Sequence, residues 1–303
     1  MAMDMEAARR SPPKQVTVRI RRYDPETKKT WWQEYKIEAH RGMTVLDALL
    51  KIKEDVDHTI VMRYSCRQGI CGSCGVVVNG TPRLACQTQL TEVVSDANPV
   101  MTIEPLYNFP VIRDLMTDFT DFFNKHRSVK PYLIRNDKEE QENPKGQYDM
   151  YPDEYLQIYQ YTNCVYCGLC YAACPVVAAD PEFLGPQALM YALRFVNDVR
   201  DEGWKERFLI VDTEHGCHRC HFAASCSAVC PKAVDPAGAI QSLRSKLFRF
   251  RLGLYKRRVS KIIGPPPEKG EKVPLPPEAT LLPGVDLKKL EEEPVVIKLP
   301  EDY

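Results

Sequence analysis

From Gln15 to Arg22 the chain alternates: Val16, Val18 and Ile20 fall on one face, Thr17, Arg19 and Arg21 on the other. A period of two predicts a half-buried strand. Asp24-Pro25-Glu26-Thr27 supplies turn residues. A second strand is predicted over about 30–38, with Trp32, Tyr35 and Ile37, so the two form a hairpin. The period then changes. Thr44, with Asp47 three residues on, has capping-box spacing, and Val45, Leu46, Leu49 and Leu50 give the helix that follows an apolar face. Beyond a loop come Val76-Val77-Val78 and then Asn79-Gly80, the strongest short hairpin signal. Thr81–Cys86 is the returning strand, and a last strand is predicted around 99–104. This order suits a small mixed β domain with one helix across it.

Residues 105–150 read as a connector, with Pro105, Pro110, Pro131, Pro144 and the polar run 136–148. From about 151 the pattern turns helical, with Tyr155, Ile158 and Tyr161. Pro186 suits the first turn of a helix reaching about Arg200, with Leu189, Ala192, Leu193 and Val196 on one face; Pro236 opens another. No strand signal of comparable strength lies between 151 and 250, so this half is expected to be all-α. The predicted boundaries are 15–110 for the first domain, 111–150 for the connector, 151–252 for the helical domain, and 253–303 for a basic, then proline-rich, extension. Residues 244–261 are rich in Arg and Lys without an acid. That stretch reads either as a solvated helix face or as a contact for anionic lipid headgroups. The stretch from Gly264 to Tyr303 is expected to be extended.

Composition changes this picture little. A length of 303 residues, 44% of them hydrophobic, suits two domains with real cores. Lys plus Arg equal Asp plus Glu at 41 each, which argues against a nucleic-acid partner and its basic excess. No apolar run is long enough to span a bilayer. MAMDMEAARRSPP has no apolar core of a leader, so none is expected. The cytoplasm or an equivalent reducing compartment is expected, where cysteines serve as metal ligands more often than as disulfides.

The twelve cysteines then become the main signal. Cys66, Cys71, Cys74 and Cys86 are spaced C-x4-C-x2-C-x11-C, the plant-type ferredoxin spacing that holds a [2Fe–2S] cluster. Gly69, Gly72 and Gly75 give the loop the sharp turns needed to aim backbone N–H groups at sulfur. A zinc site is the bland alternative, but zinc knuckles use C-x2-C and here the first interval is four. Cys164, Cys167, Cys170, Cys174 and Pro175 form the bacterial ferredoxin run C-x2-C-x2-C-x3-C-P, whose fourth cysteine ligates the other cluster of a pair. The third group is Cys217, Cys220, Cys226 and Cys230, followed by Pro231. A full copy of the run needs a cysteine at 223, which is Ala223. By the crossed-ligand rule, Cys230 joins Cys164, Cys167 and Cys170 on a [4Fe–4S] cluster, while Cys174, Cys220 and Cys226 hold the other. Three thiolates with an apolar fourth corner favour [3Fe–4S]. Cys217 is left over, either as a buried spare thiol or as a replacement fourth ligand.

Ser65–Cys74, Asn79-Gly80, Leu84-Ala85-Cys86, Cys164–Pro175, Asp180–Pro186 and Cys226–Pro236 closely resemble the iron–sulfur subunit of succinate dehydrogenase and fumarate reductase. The similarity covers about residues 15–250 and includes the gap at 223. It implies an α+β chain: a β-grasp plant-type [2Fe–2S] ferredoxin domain, then an all-α bacterial-ferredoxin-like domain. It also implies a partner flavoprotein carrying FAD, membrane anchor subunits, and electron flow from flavin through [2Fe–2S], [4Fe–4S] and [3Fe–4S] to a membrane quinone. The chain would then sit peripherally on the cytoplasmic, or equivalent inner, face of an energy-transducing membrane. Substrate chemistry would sit on the flavoprotein, since no acid–base pair, nucleotide loop or nucleophile set stands out here. Pro175 and His221 match residues on the quinone side; an imidazole titrates where proton delivery would use it. The alternative for His221 is simple packing. Arg67 and Arg219 either raise cluster potential or pair with acids on the partner. His215 and His218 read as polar loop residues, Trp31 and Trp32 as strand and interface residues. Val176-Val177-Ala178-Ala179 departs from the tryptophan pair common in succinate-oxidising members, and the tail beyond about 262 exceeds the family core. The rival readings are a quinol:fumarate reductase subunit running the opposite way, a zinc-stabilised scaffold without redox role, and a subunit of a soluble disulfide reductase.

Overall fold

The computed structural model describes residues 11–264. The leader reading for the first residues, and the extended tail beyond 264, lie outside the described residues. Strand β1 (Gln15–Asp24) pairs antiparallel with β2 (Lys29–Glu38), Val18 opposite Tyr35 and Val16 opposite Ile37. Helix α1 (Val45–Asp55) follows. Its capping box is closed in both directions: Asp47 N donates to Thr44 Oγ1 at 3.1 Å and Thr44 N donates to Asp47 Oδ2 at 2.9 Å. Strands β3 (Gly75–Val78) and β4 (Thr81–Leu84) form the predicted hairpin, and β5 (Val100–Glu104) runs parallel to β1 and antiparallel to β3. The sheet order is β2-β1-β5-β3-β4. Val18, Ile20, Val45, Ile52 and Ile103 are fully buried. Burying each such side chain contributes roughly 1.5–3 kcal/mol.

The expected connector is folded. It contains β6 (Val111–Arg113), β7 (Met116–Thr117), α2 (Thr120–Ser128), α3 (Lys138–Glu142) and β8 (Gln147–Tyr148). Helix α2 escaped the periodicity because Phe122 is its only buried residue. Aromatic packing compensates: Phe109 stacks on Phe119 with centroids 4.4 Å apart, and Phe122 meets Tyr171 edge-on at 5.5 Å. The same segment supplies a buried ion pair. Arg22, on β1, donates from Nε to Asp114 and from Nη1 to Asp57, both at 2.8 Å, with Tyr35, Gln33 and Thr59 taking further bonds. Arg22→Gln would leave Asp114, 1% exposed, without its charge partner. We expect a loss of about 3–5 kcal/mol, read as a fall in apparent Tm of roughly 10 °C; an unchanged melting curve would show that the network carries no net stability.

The helical half holds α4 (Pro152–Thr162), α5 (Leu169–Ala172), α6 (Pro175–Ala179), α7 (Pro186–Asn197), α8 (Trp204–Val211), α9 (Ser225–Ala228) and α10 (Pro236–Arg251). Pro186 and Pro236 each open their helix, as expected. Helix α7 was expected to bury one face; it is buried along almost its whole length, because α2, α4, α8 and α10 surround it. A two-residue strand β9 (Ile262–Ile263) returns to pair with β8. No helix among the described residues is long and apolar enough to cross a membrane.

The basic stretch 244–261 is not one solvated face. Arg251 pairs with Asp212, Arg258 with Asp149 and Glu154, and Arg257 donates to the carbonyls of Val196, Asp198 and Asp201. The acids it lacks in sequence are supplied by distant segments.

Candidate metal centres

The first cysteine loop lies between α1 and β3, and its fourth member follows β4. Backbone N–H groups converge on the sulfurs. Gln68, Ile70 and Cys71 donate to Cys66 Sγ at 3.5, 3.3 and 3.3 Å. Gly69 N donates to Cys86 Sγ at 3.2 Å, which draws the end of β4 onto the loop, and Cys86 N donates to Cys74 Sγ at 3.4 Å. Gly69 has φ +72° and Arg67 φ +59°; the left-handed turns aim these amides inward. The N–H of Gln68, then those of Cys71 and Ile70, hold the Cys66 thiol down to about 6. Burial pushes Cys74 up to about 12. In the metal-free chain, the rate of Cys66 alkylation is therefore expected to rise with pH through a midpoint near 6, because the thiolate is the reacting form. A midpoint in the ordinary thiol range near 8.5 would show that the amides are not preset.

The second run crosses over to the third. The second cysteine run lines one cavity, with Cys164, Cys167, Cys170 and Cys230; the cavity of the third group, called the third cavity, is lined by Cys174, Cys220 and Cys226. The pairing reflects local geometry. After Cys170 the chain forms α5, and Cys174 emerges beyond it at the start of α6. Cys226 lies on α9, and Cys230 follows that helix. Val234 N donates to Cys230 Sγ at 3.3 Å, and Phe222 N to Cys220 Sγ at 3.4 Å. Burial pushes the Cys164 thiol up to about 12, Cys167 and Cys226 to about 11, and Cys170 well up. Buried thiolates need a positive centre beside them. Among the described residues no three His, Cys, Asp or Glu side chains meet closely enough for one metal ion. The sulfurs instead surround voids, and this donor set fits thiolate-held clusters rather than a single zinc.

Ala223 and Ala224 line the third cavity where a fourth thiolate would stand, with His221, Phe222 and Pro175. His221, Phe222, Ala223, Ala224 and Pro175 are exposed, so this wall opens outward. Cys217 is fully buried in a 3₁₀ turn, Cys217–Arg219, and lies outside the cavity lining. Arg219 Nε donates to Asp180 at 2.9 Å, and His215 Nδ1 meets the same carboxylate at 2.9 Å. His218 meets Asp212 at 2.8 Å. Arg67 stacks over Tyr64, and Trp31 and Trp32 lie under Arg22 and Arg19.

Sequence reading missed two features. Asn108 Nδ2 donates to the carbonyls of Tyr171, Ala172 and Cys174 at 2.9–3.1 Å, closing the end of α5 beside Cys174. A lone Asn carries no sequence signal for this. The first and second loops also touch. A Cβ on Gly72 would stand 2.5 Å from Val165 O and 3.1 Å from Cys167 Cβ. Cysteine spacing within each motif says nothing about contact between motifs.

Residues 17–124 match a 2Fe-2S iron–sulfur cluster binding domain, and 160–234 a 4Fe-4S dicluster domain. These matches select iron–sulfur chemistry over the zinc alternative. The fumarate reductase iron–sulfur subunit of Mycobacterium tuberculosis is 41% identical over 251 residues, spanning 82% of this chain and 97% of its own length. The succinate dehydrogenase [ubiquinone] iron–sulfur subunit 1, mitochondrial, of Oryza sativa is 37% identical, spanning 75% of this chain and 80% of its own length. A chain of the Mycobacterium smegmatis Sdh1 complex in the apo form superposes with a TM-score of 0.69 at 26% identity, covering 78% of this chain and 96% of that one. With both ferredoxin domains in order and relatives matched along most of its length, the chain belongs to the iron–sulfur subunits of the succinate dehydrogenase and fumarate reductase family.

Proposed function

We propose that this electron-transfer subunit carries electrons between the FAD of a partner flavoprotein and a membrane quinone, through centres of [2Fe–2S], [4Fe–4S] and [3Fe–4S] type. The clusters, when bound, supply one-electron carriers. The chain's residues supply the ligands, the insulation and the order. Cys66, Cys71, Cys74 and Cys86 hold the first; Cys164, Cys167, Cys170 and Cys230 the second; Cys174, Cys220 and Cys226 the third. The working domains are 15–110 and 151–252, joined through 111–150. His221 and Pro175, on the exposed wall of the third cavity, face the quinone. The chain docks peripherally on membrane anchor subunits on the inner face of the membrane.

The observation that carries this reading is the third cavity, with three thiols and Ala223 in place of a fourth. Purified complex, oxidised and examined by EPR, is expected to give a [3Fe–4S] signal that succinate reduces. A third site loaded with four irons would overturn the reading. The residues serve either direction, and matching relatives carry both names. Rates with high- and low-potential quinones, measured both ways, assign the physiological one.

A further inference from the structure

A further cavity, of about 270 Å³, has no cysteine in its wall. It lies between α4, the C-terminal end of α7, the last turns of α10 and residues 254–258. Lys246, Arg249, Lys256, Arg257 and Arg258 line it, against one carboxylate, Glu154. That carboxylate is committed to Arg258, whose Nε donates to it at 2.7 Å and whose Nη1 pairs with Asp149, so the uncompensated charge comes from Lys246, Arg249, Lys256 and Arg257. Arg257 is fixed by three carbonyls, each at 2.6 Å, which orient its charge without neutralising it. Among the described residues Lys246, Arg249 and Lys256 have no carboxylate partner. Lys246 is partly buried, and burial together with the charges of Arg249 and Arg257 pushes its ammonium down. Like charges held around a recess create a strongly positive local field. Nothing in the electron-transfer path uses this field.

We propose that this cavity is a binding site for a phosphate-bearing ligand. Its fixed Arg257 guanidinium and its ammonium groups suit phosphate oxygens, and the charge excess is more than a single carboxylate would neutralise. Leu254, in the wall, is 67% exposed. Inorganic phosphate and the headgroup of an anionic phospholipid share the chemistry, and the exposed Leu254 side chain offers the second an apolar contact. The site stands independently of the reading of the clusters.

The test is calorimetric titration of the intact detergent-solubilised complex with inorganic phosphate and, separately, with dihexanoyl-phosphatidylglycerol. Dihexanoyl-phosphatidylcholine is the zwitterionic control. Binding of one or both anionic probes is expected, with the Lys246→Gln/Arg249→Gln variant weaker by about tenfold or more and Lys246→Arg retaining affinity. Binding of free phosphate identifies a small-anion site; binding of phosphatidylglycerol alone identifies a headgroup site. The proposal falls if neither anion binds, if phosphatidylcholine binds as well as phosphatidylglycerol, or if the double variant, melting like the parent, binds as the parent does.

Discussion

Replacing Cys226 by alanine is expected to abolish quinone-linked turnover while leaving reduction of an artificial dye at the flavoprotein intact. Cys226 lies on α9, buried, and with Cys174 and Cys220 forms the thiol wall of the third cavity. No fourth thiol lines the cavity to replace it: Ala223 and Ala224 carry no donor, and Cys217 is buried outside the lining. Losing one of three ligands should cost more than the 10–100-fold that follows loss of an outer hydrogen-bonding partner, so we expect roughly a hundredfold or greater fall in quinone reduction. The companion variant Cys230→Ala separates the crossed arrangement from a sequential one. Cys230 is close to Cys226 in sequence, yet lines the cavity of Cys164, Cys167 and Cys170. It should therefore remove the EPR signature of the second centre and not the third. If Cys226→Ala lowered dye and quinone activities together in an assembled complex, the order of sites would be wrong.

Gly72→Val is expected to interrupt transfer between the first and second loops while both remain present. Gly72 has φ +74°, and an added Cβ would lie 2.5 Å from Val165 O. Backbone cannot yield cheaply there, and a β-branched residue is the least tolerant of that φ. Strain and overpacking together cost about 2–5 kcal/mol. The chain relieves this by parting the loops. Stopped-flow reduction by succinate, read in preparations whose EPR shows the first centre intact, should show the first centre reduced at its normal rate and the second several-fold more slowly, because electron tunnelling weakens steeply as the gap between centres widens. Equal rates for both centres in the assembled variant would mean that electrons do not cross at this contact.

Local order made the first domain legible. The alternation of β1, the Thr44–Asp47 box and the Asn79-Gly80 turn each act through bonds spanning a few residues, so the sequence carries them directly. Helix α2 was hidden because its stability comes from Phe109 and Tyr171 on other segments. Arg22 shares the buried face of β1 with Val18 and Ile20, and its burial depends on Asp114 folding back from 92 residues away. The basic stretch was read as uncompensated because its acids, Asp149, Glu154 and Asp212, lie outside it.

By itself the sequence determined the number of cysteine groups, their spacing and the alanine at 223, since ligand spacing is a property of short loops. Only the tertiary structure decided which surfaces touch. Asn108 ties down the end of α5, Gly72 lets one loop rest on the next, and five cations gather at a cavity with no cysteine in its wall. Such contacts depend on packing between distant segments, and no local pattern encodes a neighbour that arrives only when the cores have formed.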